Sequence, residues 1–459
     1  MPAPDVLRCF DLPGPRYTSY PTTDRFVDAF GVDDYARALR QRSELGARGR
    51  PLSLYVHIPF CESLCYYCAC NKIVTRHKSR GREYLDYLAR EAALQAAQLG
   101  RGAVVSQLHL GGGTPTFLHD AGLRELVTML GERFTLSPHR EQSIEIDPRT
   151  VDSARLQRLA AMGFNRLSFG VQDFDPDVQK AVHRIQPARQ VFELVASARA
   201  IGYGSISIDL IYGLPRQGTA SFDRTLAQVC ELRPDRIVLY AYAHLPERFK
   251  PQRHIAAGEL PQPQTKVEML SRSIAALTAA GYVYIGMDHF ALPDDDLATA
   301  QSRGGLHRNF MGYTTHADSD LIGLGVSAIS HIGDSFSQNP RDLPSWQIAL
   351  DEGRLPVFRG MRLSEDDQLR ADLIQALMCQ GEIPVRALER RYDIDFAEYF
   401  ADALDRLAPL ADDGLVRVEE DRIAVTSRGR LLLRNIAMCF DHYLDQAAPV
   451  ATPRFSRAI

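Results

Sequence analysis

The chain has 459 residues, enough for two or three domains with ample core. Hydrophobic residues make up 45% and charged residues 24%, the balance of an ordinary globular protein, and no apolar run is long enough to span a bilayer. The formal net charge of −4 argues against a general nucleic-acid or anionic-membrane surface, so an anionic substrate must be held by local arginines.

The N-terminal MPAPDVLRCFDLPGPRYTSYPT lacks the basic-then-apolar pattern of an export signal, and a cytoplasmic location is the expectation. Its segment GPRYTSYPT has neither a helical nor a strand period and reads as an ordered arm or a loose tail. A polar, helix-like stretch follows to about Arg50.

From Leu52 to about Phe290 a short alternating strand, a turn and a longer helical stretch recur. SLYVHI, SQLHLG, SIEID, NRLSFG, SISIDLI and RIVLYAY are the expected strands, with YVYIG as a possible seventh. REYLDYLAREAALQAAQL, VDSARLQRLAAMG and TKVEMLSRSIAALTAAG are among the expected helices. This alternation predicts an α/β fold, a partial TIM-type (β/α)6 barrel of parallel strands, whose chemistry sits at the C-terminal strand ends. The polar candidates fall there: Tyr55 and His57 opposite Leu54, Val56 and Ile58, the glycines of LHLGGGTPT, then Glu145, Gln172 and Asp209.

After Leu363 the pattern becomes helical. SEDDQLRADLIQALMCQ opens on a Ser364–Asp367 capping box, and further helices, a hairpin (LVRVEEDRIAVT) and a final helix (SRGRLLLRNIAMCFDHYL) complete a winged-helix-like module. Glu398, Asp402, Asp405, Asp412 and Asp413 face Arg406 alone along its middle helix, which speaks against DNA binding and for a lid or packing domain. The expected domains are an arm and helix (1–50), a barrel (51–362) and a mostly helical C-terminal domain (363–459).

Half of the eight cysteines sit in YVHIPFCESLCYYCACN: Cys61, Cys65, Cys68 and Cys70. Cys9, Cys230, Cys379 and Cys439 are scattered singly and read as small buried hydrophobes. In a reducing compartment such a cluster points to metal before disulfides. Structural zinc is the alternative, but it is usually clasped by two separated cysteine pairs. Three thiolates on one continuous loop suit three corners of an iron–sulfur cube, leaving one iron open to a substrate.

The spacing is similar to that of the radical S-adenosylmethionine enzymes. LYVHIPFCESLCYYCACNKIVTR closely resembles the oxygen-independent coproporphyrinogen III oxidases of haem biosynthesis. The likeness continues through GPRYTSYPT, LHLGGGTPT, SIEIDP, SFGVQDF, IDLIYGLP, YAHLP, GMDHFALPDDDLA, LIGLGVSAIS, RNIAMCFDHYL and FSRAI.

What the resemblance implies is an oxidoreductase converting two propionates of coproporphyrinogen III to vinyl groups through a 5′-deoxyadenosyl radical, giving protoporphyrinogen IX. It implies one 4Fe–4S cluster on Cys61, Cys65 and Cys68, with Cys70 outside the ligand set, and two bound S-adenosylmethionines. Tyr55, Gly112, Glu145 and Ile329 would contact the first, with Tyr55 and Glu145 catalytic. Tyr67, Gly113, Thr114, Gln172, Arg184, Asp209 and Ala243 would contact the second. Gly112 and Gly113 would let the backbone approach the ligand, Arg184 would pair with a carboxylate, and Tyr67 would shield the cluster or pack the loop. The implied partners are the porphyrinogen and a small electron-donor protein such as a flavodoxin or ferredoxin, with neither nucleic acid nor membrane and with a monomer expected. Met311 stands where the family has glutamine, and Arg16 is a candidate to hold a propionate. The alternative is a haem chaperone of the same fold without oxidase activity. Such relatives typically lack the fourth cysteine and carry His-Asn-x-x-Tyr, where this chain has Cys70 and HRNFMGY.

Overall fold

The computed structural model describes residues 12–46, 49–100, 102–317 and 319–445; Cys9 and the terminal FSRAI lie outside them. Two compact units emerge, one of Phe26–Pro261 with Asp318–Arg362, the other of Met1–Arg25, Gln262–Ala317 and Leu363–Ile459. These units depart from linear limits at 50 and 362. The segment after the arm joins the first unit because Val27 exchanges backbone hydrogen bonds with Gly360 (2.8 and 3.1 Å) and Phe26 stacks on Phe336.

The first unit is built on β1 (Leu52–Ile58), β2 (Val104–Gly112), β3 (Thr135–Ile146), β4 (Arg166–Gln172), β5 (Ser205–Tyr212) and β6 (Arg236–Ala241). They lie side by side in chain order and pair in parallel throughout, the six strands expected. Helices such as Ser79–Leu99 and Ala188–Ile201 return the chain between them. The former buries Tyr84, Leu85, Leu88, Ala92 and Leu99, a three-to-four-residue spacing that makes one apolar stripe.

The seventh parallel strand is not YVYIG. It is β7 (Asp320–Leu324), which pairs with the free edge of β1 and continues antiparallel into β8 (Ile329–Ile332), β9 (Ser335–Gln338) and β10 (Arg359–Arg362). Val283–Gly286 instead forms an antiparallel hairpin with His289–Ala291 in the second unit. Only two residues separate those strands, which leaves no length for the crossover a parallel pair needs.

The second unit contains helix Pro263–Ala279 and the C-terminal helices Glu365–Gln380, Val385–Tyr392 and Ala401–Asp412. A three-stranded sheet of Glu382–Ile383, Ile423–Val425 and Val416–Val418 completes the winged-helix-like pattern. The Ser364–Asp367 capping box forms: the Ser364 hydroxyl accepts the Asp367 N–H at 3.1 Å and the Ser364 N–H donates back to the carboxylate at 3.0 Å. The expected last helix is broken into a 3-10 helix at Gly429–Leu432, an α-helix at Leu433–Met438 and a short α-helix at His442–Asp445. That break serves the arm. Tyr17 donates to Asp441 at 2.9 Å, and Arg434 donates to the carbonyls of Gly14 and Pro15. Tyr17 and Tyr20 join Leu373, Leu377, Phe400 and Phe440 in one core, so GPRYTSYPT is an ordered arm. Among the described residues no helix is long and apolar enough to cross a membrane.

Candidate active site

A parallel sheet is normally apolar on both faces. This one is not. Leu54, Val56, Ile58, Leu108, Leu110, Ile144, Leu167, Phe169, Ile206 and Ile208 are buried on one face. The alternate positions hold Tyr55, His57, His109, Ser143, Glu145, Ser168 and Asp209, in register across β1 to β5. A polar stripe across a buried sheet serves binding, because it costs core area that apolar side chains would otherwise fill.

On β1, His57 Nε2 lies 2.9 Å from the Asn71 carbonyl, which can only accept, so Nε2 carries the proton and Nδ1 accepts the Tyr55 hydroxyl at 3.0 Å. Burial lowers the His57 pKa and keeps the ring neutral. His57 thus ties Tyr55 to the end of the cysteine loop. Tyr55 also stacks on His109, whose Nδ1 lies 2.6 Å from Ser143 Oγ and whose Nε2 lies 3.5 Å from Glu145. The Glu145 carboxylate accepts the Gly112 N–H at 3.0 Å. Burial works against its charge, but His109 and this amide outweigh it and hold the carboxyl below the usual range. Asp209 behaves oppositely: burial first, then the Glu145 charge, push its carboxyl up to about 7. Its structural contact is Ser168 Oγ, at 3.2 Å.

The glycine loop is spoken for by the protein itself. A Cβ on Gly112 would lie 2.7 Å from the His57 ring, and one on Gly113 would lie 2.7 Å from the Pro59 carbonyl. Gly112 also has φ +115°, so both glycines are required by packing beneath the cysteine loop before any ligand is considered. The Gly113 and Thr114 amides donate to the carbonyls of Ile58 and Phe60 at 2.8 and 2.9 Å.

Arg184 is buried and already paired with a carboxylate, that of Asp147, at 3.1 Å. Its Nη1 also approaches Cys65 Sγ at 3.4 Å, Nη2 donates to the Gly170 carbonyl, and Nε has no partner. Arg149 completes the group, 2.7 Å from Asp147 and 3.6 Å from Cys65 Sγ. Gln172 ends β4 at φ +72° behind a bulge, a strained conformation of the kind found at functional sites. Tyr67 packs against Val178, Val182, Ile211, Leu214, Tyr242 and Ile255, so its packing role is real. Gln252 donates to the carbonyls of both Tyr67 and Ala243, each at 3.1 Å. Ile329 opens β8, and its backbone fits only because Gly323, the β7 neighbour of Tyr55, has no side chain: a Cβ there would lie 2.6 Å from the Ile329 carbonyl.

The donor set of the cysteine loop fits an iron–sulfur cluster. Cys61, Cys65, Cys68 and Cys70 are all free thiols on one loop. Two guanidinium groups donate to Cys65, and the Thr114 hydroxyl lies 3.5 Å from Cys61 Sγ, contacts that tune cluster sulfurs. Cys68 and Cys70 differ: the Cys70 contact and Lys72 pull the Cys68 thiol down, while Cys68 pushes the exposed Cys70 thiol up. Among the described residues no three His, Cys, Asp or Glu side chains converge tightly enough for a single ion. The scattered Cys379 and Cys439 are buried and Cys230 half-buried, as expected of packing cysteines.

The site residues therefore lie on one unit. Gly112, Glu145 and Gln172 stand at or next to the C-terminal ends of their strands, Tyr55 and Asp209 within β1 and β5, Arg184 after the helix Pro176–Ala181 and Ile329 at the start of β8. Met311 and Arg16 belong to the other: Met311 donates its amide to Asn309 at 2.9 Å, and Arg16 pairs with Asp288 at 2.9 Å. His57, a candidate from its strand face, joins the site, and the structure adds His109, Asp147, Arg149 and Gln252, none of them among the expected residues. Asp147 is within reach of sequence reasoning, since it stands before the proline of SIEIDP; Gln252 sits in the short 3-10 helix Lys250–His254, which carries no periodic signal.

The radical SAM superfamily profile matches residues 55–229, and that of the HemN C-terminal domain matches residues 363–432. An oxygen-independent coproporphyrinogen III oxidase of Pseudomonas aeruginosa is 51% identical over 457 residues, covering 99% of this chain and 98% of its own. Its Escherichia coli counterpart is 50% identical over 454 residues, with the same coverage of each. The solved structure of the E. coli protein, described as a radical SAM enzyme, superposes with a TM-score of 0.90 at 50% identity over 93% of this chain and 97% of that one. Covered along nearly its full length by relatives 50–51% identical, and matched by the radical SAM and HemN C-terminal profiles, the chain belongs to the oxygen-independent coproporphyrinogen III oxidases, a radical SAM family.

Proposed function

We propose that this chain oxidatively decarboxylates two propionate side chains of coproporphyrinogen III to vinyl groups, giving protoporphyrinogen IX. Each conversion removes one β-hydrogen atom, one carbon dioxide and one further electron, which passes to an acceptor. The observation that supports this most is the polar face: Glu145 and Asp209 lie on strands separated by β4, and Glu145 accepts the N–H of Gly112, whose neighbour His57 reaches the end of the cysteine loop at Asn71.

In this reading Cys61, Cys65 and Cys68 hold one 4Fe–4S cluster, and Cys70 tunes Cys68 without being a ligand. When bound there with S-adenosylmethionine, the cluster supplies one-electron cleavage of the sulfonium carbon–sulfur bond. Tyr55, Gly112, Glu145 and Ile329 line the first S-adenosylmethionine site. The ionised Glu145 accepts from an ammonium or ribose hydroxyl, and the Tyr55 hydroxyl is oriented by neutral His57. Tyr67, Gly113, Thr114, Gln172, Arg184, Asp209 and Ala243 line the second. Arg184 acts mainly as a cationic strut between Asp147 and Cys65, with its unpartnered Nε as the remaining donor. The electron comes from a small donor protein, and the enzyme works as a cytoplasmic monomer.

The test is anaerobic reconstitution followed by mass spectrometry of products made from coproporphyrinogen III. A product lighter by two formic acid equivalents, with methionine and 5′-deoxyadenosine released, is expected. Reconstituted protein that binds haem but leaves the porphyrinogen unchanged would instead favour the chaperone reading.

A further inference from the structure

Directly after the cysteines, KIVTRHKSRGR (72–82) carries five lysines and arginines, one histidine and no acidic residue, in a chain of net charge −4. It begins as a strand beside the cysteine loop. Phe60 pairs with Ile73 and Cys61 with Val74, and the Thr75 N–H donates to the Cys61 carbonyl at 2.9 Å.

Three of the five cations are committed. Lys72 donates to the Cys68 carbonyl at 3.0 Å, Lys78 to Glu62 at 2.5 Å and to the Phe117 carbonyl at 2.7 Å, and Arg82 to Glu125 and Asp86. Arg76 and Arg80 are exposed and enter no ion pair among the described residues. Arg80 lies over the Phe60 ring, and exposed His77 sits between the two arginines in sequence. Val74, a β-branched residue 44% exposed, gives the patch an apolar spot directly across the ladder from Cys61. An apolar spot flanked by unpaired cations suits a partner with an acidic face. Its position beside a cluster ligand suits an electron donor, because electron transfer falls steeply with distance.

We propose that Val74, Arg76, His77 and Arg80 form the docking surface for a small acidic electron-transfer protein. This rests on the reading of Cys61 as a cluster ligand. One electron passes per encounter: a flavodoxin hydroquinone anion becomes the neutral semiquinone and the oxidised centre becomes reduced. No bond forms or breaks on this chain. Unpaired surface cations also accelerate encounter with an acidic partner, an effect that salt screens.

The test uses full-length protein, with and without reconstituted iron, and oxidised flavodoxin as a redox-silent binding probe. Binding to the wild type should weaken with salt. R76E/R80E should bind about tenfold more weakly at low ionic strength and lose most of that salt dependence. Flavodoxin hydroquinone should reduce the reconstituted variant about tenfold more slowly, while dithionite should reduce variant and wild type alike. The neutral pair R76Q/R80Q should give an intermediate result and covers the case in which charge reversal perturbs folding. Wild-type flavodoxin affinity and salt dependence in both variants would overturn the proposal. So would a patch that binds an oligonucleotide more tightly than flavodoxin and loses only that on mutation. If dithionite reduces neither protein, the cysteine reading has failed, and binding to the iron-free chain still decides the docking surface.

Discussion

Gln252 ties Tyr67 to Ala243: its side-chain amide donates to both backbone carbonyls at 3.1 Å, while its own carbonyl accepts the Leu245 N–H at 2.6 Å. The side chain is buried, so each of these three backbone groups depends on it. Two residues far apart in sequence, both proposed to line the second S-adenosylmethionine site, are held in place by a third.

Gln252→Ala should therefore loosen that site without touching the cysteines. Buried backbone groups left unpaired cost about 1–3 kcal/mol each, and part of this should appear as weakened ligand binding. The expected result is S-adenosylmethionine affinity at the second site lower by about tenfold, equivalent to about 1.4 kcal/mol, with iron content unchanged. Calorimetric titration beside iron analysis measures both. Unchanged affinity would mean that Gln252 serves the loop alone.

The four cysteines should divide three to one. Serine at Cys61, Cys65 or Cys68 should abolish the iron–sulfur absorbance and bound iron, whereas Cys70→Ser should keep most of both. Equal loss in all four variants would point to a four-thiolate site.

Glu145 and Asp209 should differ in pH dependence. Glu145 is held below the usual carboxylate range and stays ionised across neutral pH. The Asp209 carboxyl is raised to about 7, so it is largely protonated at pH 6 and ionised at pH 8. If the ionised form accepts from the second S-adenosylmethionine, that affinity should rise with pH up to about 7 and fall by up to about tenfold per unit below it. Asp209→Asn should flatten the profile, leaving a first site that does not vary with pH over this range. Stoichiometry near two per chain at pH 8, falling towards one in Asp209→Ala, is the companion result. A stoichiometry of one that Asp209→Ala does not alter would remove the second site.

The arm should prove structural before anything else. Tyr17 and Tyr20 are in the core of the second unit, and Tyr17 supplies a hydrogen bond to buried Asp441. Tyr17→Phe leaves that carboxylate oxygen without its donor and should cost about 1–3 kcal/mol, read as a lower midpoint in urea. Deleting residues 1–30 should destabilise the second unit more severely, because two aromatic rings leave its core together. Arg16→Ala is the milder probe of a propionate role. It removes the Asp288 ion pair but no core volume, and a raised KM for coproporphyrinogen III at unchanged urea midpoint is expected.

The six parallel strands were legible in the sequence because each alternates apolar and polar residues before a turn, and that period is a local property of the backbone. The capping box at Ser364 and the face shared by Tyr55 and His57 were legible for the same reason. β7 escaped because the LIGLG run, apolar on both faces, has no alternation to find; only its neighbour β1, from more than two hundred residues earlier, makes it a strand of this sheet. Residue chemistry marks Arg184 as able to pair with a carboxylate, and within the chain it pairs with Asp147. That the carboxylate is Asp147 follows from a strand end and a loop meeting in space. The same holds for the glycines. Their sequence announces close approach, but His57 and Pro59 are what approaches Gly112 and Gly113. Periodicity and residue type decide what a segment can do, since both act within a few residues. Which partner it finds depends on non-local packing, and for Gln252, Asp147 and the docked arm only the tertiary structure supplies it.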